Sequence, residues 1–249
     1  MPIPASRVEE IGAYLSDVIS AKQVATEMDL ARTMRDVAAI RQRDLVLGST
    51  LEGVVRTLQH RPDEAIANFE LAMKASSSHP MVAFNYGSCL LAMGSVVEAR
   101  PFLGIAARTQ EFARDAIKKL FGIGAVAEAV GFVKDLHIPT DTSLQNGLKL
   151  GEFLAGSEIS DAEVLSVIGT ASRLVWEDGL WISGAHDYIT GDGVLRTLIV
   201  PSGATDEKIV NREWSLDEKL AQSGNQLSRA GFSIAFATWE EAFQSMQAA

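Results

Sequence analysis

Apolar residues recur at helical spacing through most of the first 177 positions, and only after that does the pattern change period. Residues 7–44 read as two helices, the second placing Leu30, Met34, Val37 and Ile40 on one face. Further helical pairs are expected at 110–121 with 125–136 and at 144–155 with 160–177. Leu180–Ile189 and Val194–Val200 are instead rich in aromatic and β-branched residues and are separated by Thr190, Gly191, Asp192 and Gly193, a β-hairpin signal. A helix around 205–223, a strand around 231–237 and a last helix from Trp239 complete the expected order. Helix starts are marked where Ser or Thr is followed three residues later by Glu, which lets two side chains satisfy free amides. Five such pairs occur: Ser6 with Glu9, Ser95 with Glu98, Ser160 with Glu163, Ser215 with Glu218, and Thr238 with Glu241. Pro62 suits a first helical turn, whereas Pro101 falls inside the helix opened by Ser95 and predicts a bend or one lost hydrogen bond.

Between these outer elements the chain repeats itself. The 34-residue window 46–79 matches the window 80–113: Gly53 falls on Gly87, Glu64 and Ala65 on Glu98 and Ala99, Phe69 on Leu103, Leu71 on Ile105, Ala72 on Ala106 and Lys74 on Arg108. A fixed period of this length, with small residues where helices touch, predicts stacked helical hairpins. These two windows resemble the tetratricopeptide repeat, a family that presents surfaces to partner proteins. The resemblance covers residues 46–113; residues 7–44 and 110–136 fit degenerate or capping units, which close a solenoid core against water. The fold expected is therefore α+β: a tetratricopeptide-like helical array over 1–139, then a small α+β domain over 140–249 with a hairpin and at least three strands. The boundary is placed at the turn-rich stretch 139–147, where Pro, Asn and Gly cluster.

Charge sharpens that division. Of the 22 Lys and Arg and 32 Asp and Glu, residues 1–139 hold 15 against 16, and residues 140–249 hold 7 against 16, so the net of -10 divides into -1 and -9. An acidic C-terminal half and a first half without a basic stripe disfavour nucleic acid. No uninterrupted apolar run reaches membrane-spanning length, and residues 1–10 lack a secretory layout, so a cytoplasmic protein without membrane contact is expected. The single cysteine, Cys89, cannot form an internal disulfide.

Candidate chemistry is sparse. His186 and Asp187 with Asp192 and Glu207 supply a histidine and carboxylates near strand ends that could hold a divalent metal or do acid-base work, although neighbours on a strand point to opposite faces. Gly122, Gly124 and Ala127 begin a dinucleotide fingerprint, but a helix precedes them where a strand is needed, so they read as a helix-helix turn. Cys89 reads as a buried structural thiol, and no P-loop, zinc pair or Ser-His-Asp set emerges, so no cofactor is expected. All four tryptophans lie in the second half; Trp176, Trp181 and Trp239 are expected to pack the last helix on the sheet, and Trp214 to be an exposed anchor.

The resemblance implies that the first helix of each hairpin lines a concave groove. Its positions are Leu47, Thr50, Val54, Thr57 and Leu58, then Met81, Phe84, Asn85, Ser88 and Leu91. Asn85 stands where chaperone-binding members hold a peptide carboxylate, but Leu51 occupies the equivalent place one repeat earlier and no lysine and arginine set completes that clamp. The expected function is a protein-protein adaptor that takes an apolar partner segment in this groove. A metal-dependent hydrolase in the C-terminal half and an acidic inhibitory or immunity-type regulator are the alternatives. A groove filled by the chain's own helices would leave the adaptor without its site.

Overall fold

The computed structural model describes residues 5–20, 25–157, 159–190, 193–200, 206–223 and 231–238. Eight helices form an array: α1 (Ala5–Ile19) and α2 (Glu27–Arg41), then three consecutive hairpins, α3 (Leu45–Leu58) with α4 (Pro62–Ala75), α5 (Pro80–Ala92) with α6 (Val96–Ala107), and α7 (Gln110–Ile123) with α8 (Val126–Asp135). Helix α1 lies against α3 and is tied to α2 by the Arg7–Asp36 ion pair. The repeated residues make the same contact twice. A Cβ on Gly53 would lie 2.7 Å from the ring of Phe69, and one on Gly87 would lie 3.0 Å from Leu103. Each pair is separated by sixteen residues, so absence of a side chain on the first helix admits a bulky one from the second. Pro101 lies within α6, which continues unbroken past it. The carbonyl four residues back that it cannot bond belongs to Val97, which is 65% exposed and open to water.

Capping follows the sequence unevenly. Ser160 and Glu163 form the reciprocal box at the start of α10 (Asp161–Glu177). Ser95 occupies the cap position of α6 but makes no side-chain bond there. Ser6 lies inside α1. Ser215 is not a helix start at all: it sits mid-way through α11 (Asp206–Ser223), its hydroxyl donating to the Asn211 carbonyl, because the apolar pattern of 206–223 is continuous through it. Thr238 ends a strand, and its partner Glu241, like Trp239 and the last helix expected there, lies outside the described residues. Three caps have no Ser/Thr-to-Glu spacing: Thr26 with Asp29 on α2, Asp44 on α3 and Asp141 on α9 (Thr142–Gly156).

The C-terminal part holds a three-stranded sheet ordered β1 (Gly184–Ile189), β2 (Val194–Val200), β3 (Phe232–Thr238). β1 and β2 form the expected antiparallel hairpin with Ile189 opposite Val194, though the first strand begins at Gly184 rather than Leu180. β3 runs parallel to β2 after the α11 crossover, an α+β arrangement whose strand order was not legible beforehand.

Packing does not respect residue 139. One buried cluster joins α1 to α6, from Ile11 to Ala99. A second runs from Val96 through α7–α10 to Leu198 and Phe236 on the sheet, with Leu144 and Leu150 fully buried between. The change in charge and turn content at 139–147 therefore marks a connection, and the core passes through it.

Helix α10 explains much of that continuity. It lies across the hairpin turns of the array, one after another. A Cβ on Gly124, in the α7–α8 turn, would sit 2.4 Å from Val164 Cγ1; one on Gly94, in the α5–α6 turn, 2.9 Å from the Arg173 backbone nitrogen. Both glycines have left-handed backbones, φ +87° and +77°. In the α3–α4 turn the repeat-equivalent of Gly94 is His60, also left-handed at φ 56°. There α10 is ending, and the His60 ring rests on Trp176 with centroids 4.1 Å apart. Just beyond, the indole of Trp181 donates to the Ile19 carbonyl at the end of α1, 2.9 Å away. Trp176 and Trp181 thus pack on the N-terminal cluster, not between a last helix and the sheet, because α10 carries them back along the array.

Candidate partner-binding face

The first helices of the hairpins carry the positions expected to line a groove, and the structure divides them. Thr50, Val54, Thr57, Leu58 and Ser88 are buried. The hydroxyls of Thr50, Thr57 and Ser88 donate back to the carbonyls of Val46, Gly53 and Phe84, so they are satisfied inside their own helices. Helix α1 supplies the cover: its Ile11, Leu15 and Val18 share the cluster that holds Val54 and Leu58. These five belong to the core, which corrects the expectation that they face a partner.

Leu47, Met81, Phe84, Asn85 and Leu91 remain half-buried. The last four fall on α5 as a stripe, and α7 borders it. The Phe84 ring stacks on Phe112, centroids 5.5 Å apart, with the Lys119 ammonium 5.7 Å from its centre. Asn85 donates one of its two amide hydrogens to the Met81 carbonyl at 2.8 Å, which fixes the side chain along its own helix. Below the stripe lies Cys89, fully buried; burial pushes its thiol up to about 12, against smaller lowering effects from a Thr57 hydrogen bond and the Lys119 charge. Burial likewise lowers the Lys119 ammonium from its ordinary value, with Cys89 and Asp115 opposing. A thiol held that high is not a nucleophile at neutral pH.

The proposed hydrolase residues do not converge. Asp187 is taken by Arg196, directly opposite it on β2, through two bonds of 2.7 and 2.8 Å. Arg196 is fully buried, and its third contact, 3.0 Å to the Gly122 carbonyl, ties the sheet to the end of α7. His186 lies on the other sheet face, paired with Thr197, and Glu207 is exposed on α11. Asp192 lies outside the described residues. Among the described residues no three His, Cys, Asp or Glu side chains are grouped to hold a metal. Gly124 ends α7 in the left-handed turn to α8, as expected, whereas Gly122 lies within the last turn of α7, where its carbonyl accepts from Arg196.

Trp214 is 74% exposed, as expected, but from the middle of α11 rather than at a helix start, with Val210 one turn earlier 48% exposed and the acidic Glu207, Asp217 and Glu218 on the same outward side. Sequence reasoning missed three features. Arg196 could have been suspected, since a charged residue inside the run Val194–Val200 falls opposite Asp187 once Ile189 is paired with Val194. His60 was overlooked as the repeat-equivalent of Gly94. An aromatic cleft between α4 and α6, lined by Tyr86 and Phe102, had no local signal. No helix among the described residues is long and apolar enough to cross a membrane. Set against known protein families, characterised proteins and solved structures, the chain matches none of them.

Proposed function

We propose that this chain is a cytoplasmic protein-protein interaction module, tetratricopeptide-like in its hairpin array, that takes a partner segment along the α5 stripe of Met81, Phe84, Asn85 and Leu91. The observation that carries the reading is Phe84: a large aromatic side chain held by Phe112 and Lys119 yet still partly open to solvent at the centre of that stripe. Rigid, half-buried aromatic side chains make strong anchors because little conformational freedom is left to lose on binding. The stripe is shorter than the groove implied by the repeat resemblance, since α1 occupies the α3 end.

Affinity co-purification from the native host, with Phe84→Asp and the milder Asn85→Arg as controls and circular dichroism to verify the fold, tests the reading. A protein captured by the wild type and lost with both variants is expected. Undiminished capture by both folded variants would remove the α5 stripe from consideration. One observation favours a second reading, the acidic regulator: Trp214 and Val210 stand exposed among Glu207, Asp217 and Glu218 on α11. Under that reading Trp214→Ala, not the α5 variants, abolishes capture, and the complex weakens steeply with salt.

A further inference from the structure

Two helix faces turned to solvent carry opposite charge around an apolar centre. Helix α11 packs on α10 and β3. At about 100° per residue, the side away from that contact is centred on Trp214, with Glu207, Val210, Asp217 and Glu218 within about 60° of it. Trp214 and Val210 are among the most exposed large apolar side chains of the chain. The cations Lys208 and Lys219 fall about 120–140° round the helix, off this face. Helix α2 packs on α3, and its opposite side carries Met28, Arg32 and Arg35 with Ala31 and Ala38 beside them. Met28 is 67% exposed, and both arginines face solvent. Asp29 lies one turn from Arg32, but its carboxylate is turned back to accept from the amide and hydroxyl of Thr26. Asp36 is engaged by Arg7. One exposed apolar side chain is ordinary surface; here each anchor is ringed by the charge that the other face lacks.

We infer that α11 of one molecule docks on α2 of a second copy of this chain, Trp214 seated beside Met28 and the alanines, with Arg32 and Arg35 set against Glu207, Asp217 and Glu218. Guanidinium groups also stack on indole faces, so ring and carboxylates favour arginine together. The helices are 15 and 18 residues long, so the faces match in length. Charge chooses the occupant. An acidic face repels a second α11 and an arginine face repels a second α2, so neither pairs with itself and the contact is head to tail. Such a contact closes into a ring or adds units in a row. The net charge of -10 opposes any meeting of two copies, but residues 1–139, which include α2, carry only -1 of it. The inference deepens the second reading above by naming what the Trp214 face meets, and it shares no residue with the α5 stripe.

Sedimentation velocity of the full chain at about 0.15 M salt, where charges more than roughly 8 Å apart are screened, reads the association. The average mass is expected to rise with concentration, with a dissociation constant of about 10–100 μM, because one helix on one helix is a small interface. Trp214→Glu breaks the α11 face, and Arg32→Glu combined with Arg35→Glu breaks the α2 face. Each of these variants is expected to stay monomeric, with circular dichroism verifying that changes at exposed positions leave the fold intact. Mixed together, they are expected to form a one-to-one pair and nothing larger, because each supplies the face that the other lacks. A wild type that stays monomeric to about 1 mM, a mixture that stays monomeric where the wild type associates, or a variant that associates as the wild type does overturns the inference. Should Trp214→Ala abolish capture of a basic host protein while the wild type stays monomeric, α11 takes a foreign partner: the inference falls and the acidic-regulator reading stands. Loss of capture in Phe84→Asp bears on the α5 stripe alone.

Discussion

The α3–α6 hairpins and the C-terminal sheet are held by opposite means. In the hairpins the decisive contacts are short-range and repeated: Gly53 against Phe69 and Gly87 against Leu103, each closed within one unit. In the sheet one side chain, Arg196, reaches across 74 residues to the Gly122 carbonyl and neutralises Asp187 on the way. The repeat tolerates variation because each hairpin is a local solution. The sheet shares the apolar core of the neighbouring helices and adds to it one buried charged tether, whose loss has no repeated equivalent elsewhere.

That contrast can be broken most severely at Arg196. Arg196→Met leaves the Asp187 carboxylate buried without its cation and should cost about 3–5 kcal/mol, read by urea denaturation. Adding Asp187→Leu should recover most of that loss, since an apolar pair needs no desolvation of charge; an equal loss in the double variant would show that the Gly122 tether, not the ion pair, dominates. The hairpins should respond less and unequally. Gly53→Ala gains about 1 kcal/mol of helix propensity but drives a methyl into the rigid, fully buried Phe69 ring, for a net loss of about 2 kcal/mol. Gly87→Ala meets a branched Leu103 that can turn aside, so gain and loss should nearly cancel. Equal losses at the two glycines would argue against local repeat packing as the cause.

Two smaller effects sharpen the picture of α10 as the element joining both regions. Ser160→Ala removes a formed capping box and should cost about 1 kcal/mol, whereas Ser95→Ala removes a hydroxyl that caps nothing and should be silent. Thermal melts of the two variants decide this directly. Burial lowers the His60 imidazole below its ordinary value, with the Gly179 backbone bond opposing in part. The folded state then prefers the neutral ring, so its contribution is complete above the unfolded value of about 6.5 and is lost as pH falls through that value toward the folded one. Denaturation midpoints between pH 7 and 5 should fall more steeply for the wild type than for His60→Gln.

Helix order was legible because periodicity and capping chemistry are local: all eight array helices, α9–α11 and the hairpin fall close to their expected places. Ser215 misled because Ser followed three residues later by Glu also occurs inside helices, where the hydroxyl bonds back to a carbonyl instead. The groove was legible only in part. Helical spacing places Thr50, Val54 and Leu58 on one face, but spacing cannot say whether α1 covers that face, and it does. The aromatic cleft joins Met73, Tyr86 and Phe102 from three helices, and nothing in any one segment announces such a meeting.

By itself, then, the sequence determined the elements, the 34-residue hairpin repeat and the uneven charge, since each depends on neighbours within a few turns or on simple counting. Tertiary structure alone decided that the core crosses residue 139, that β3 lies parallel to β2, that α10 spans successive hairpin turns, and that Asp187 is held by Arg196 rather than offered to a metal. Those outcomes depend on which apolar faces meet once the chain closes on itself, and burial then chooses the partners of every polar group carried inside.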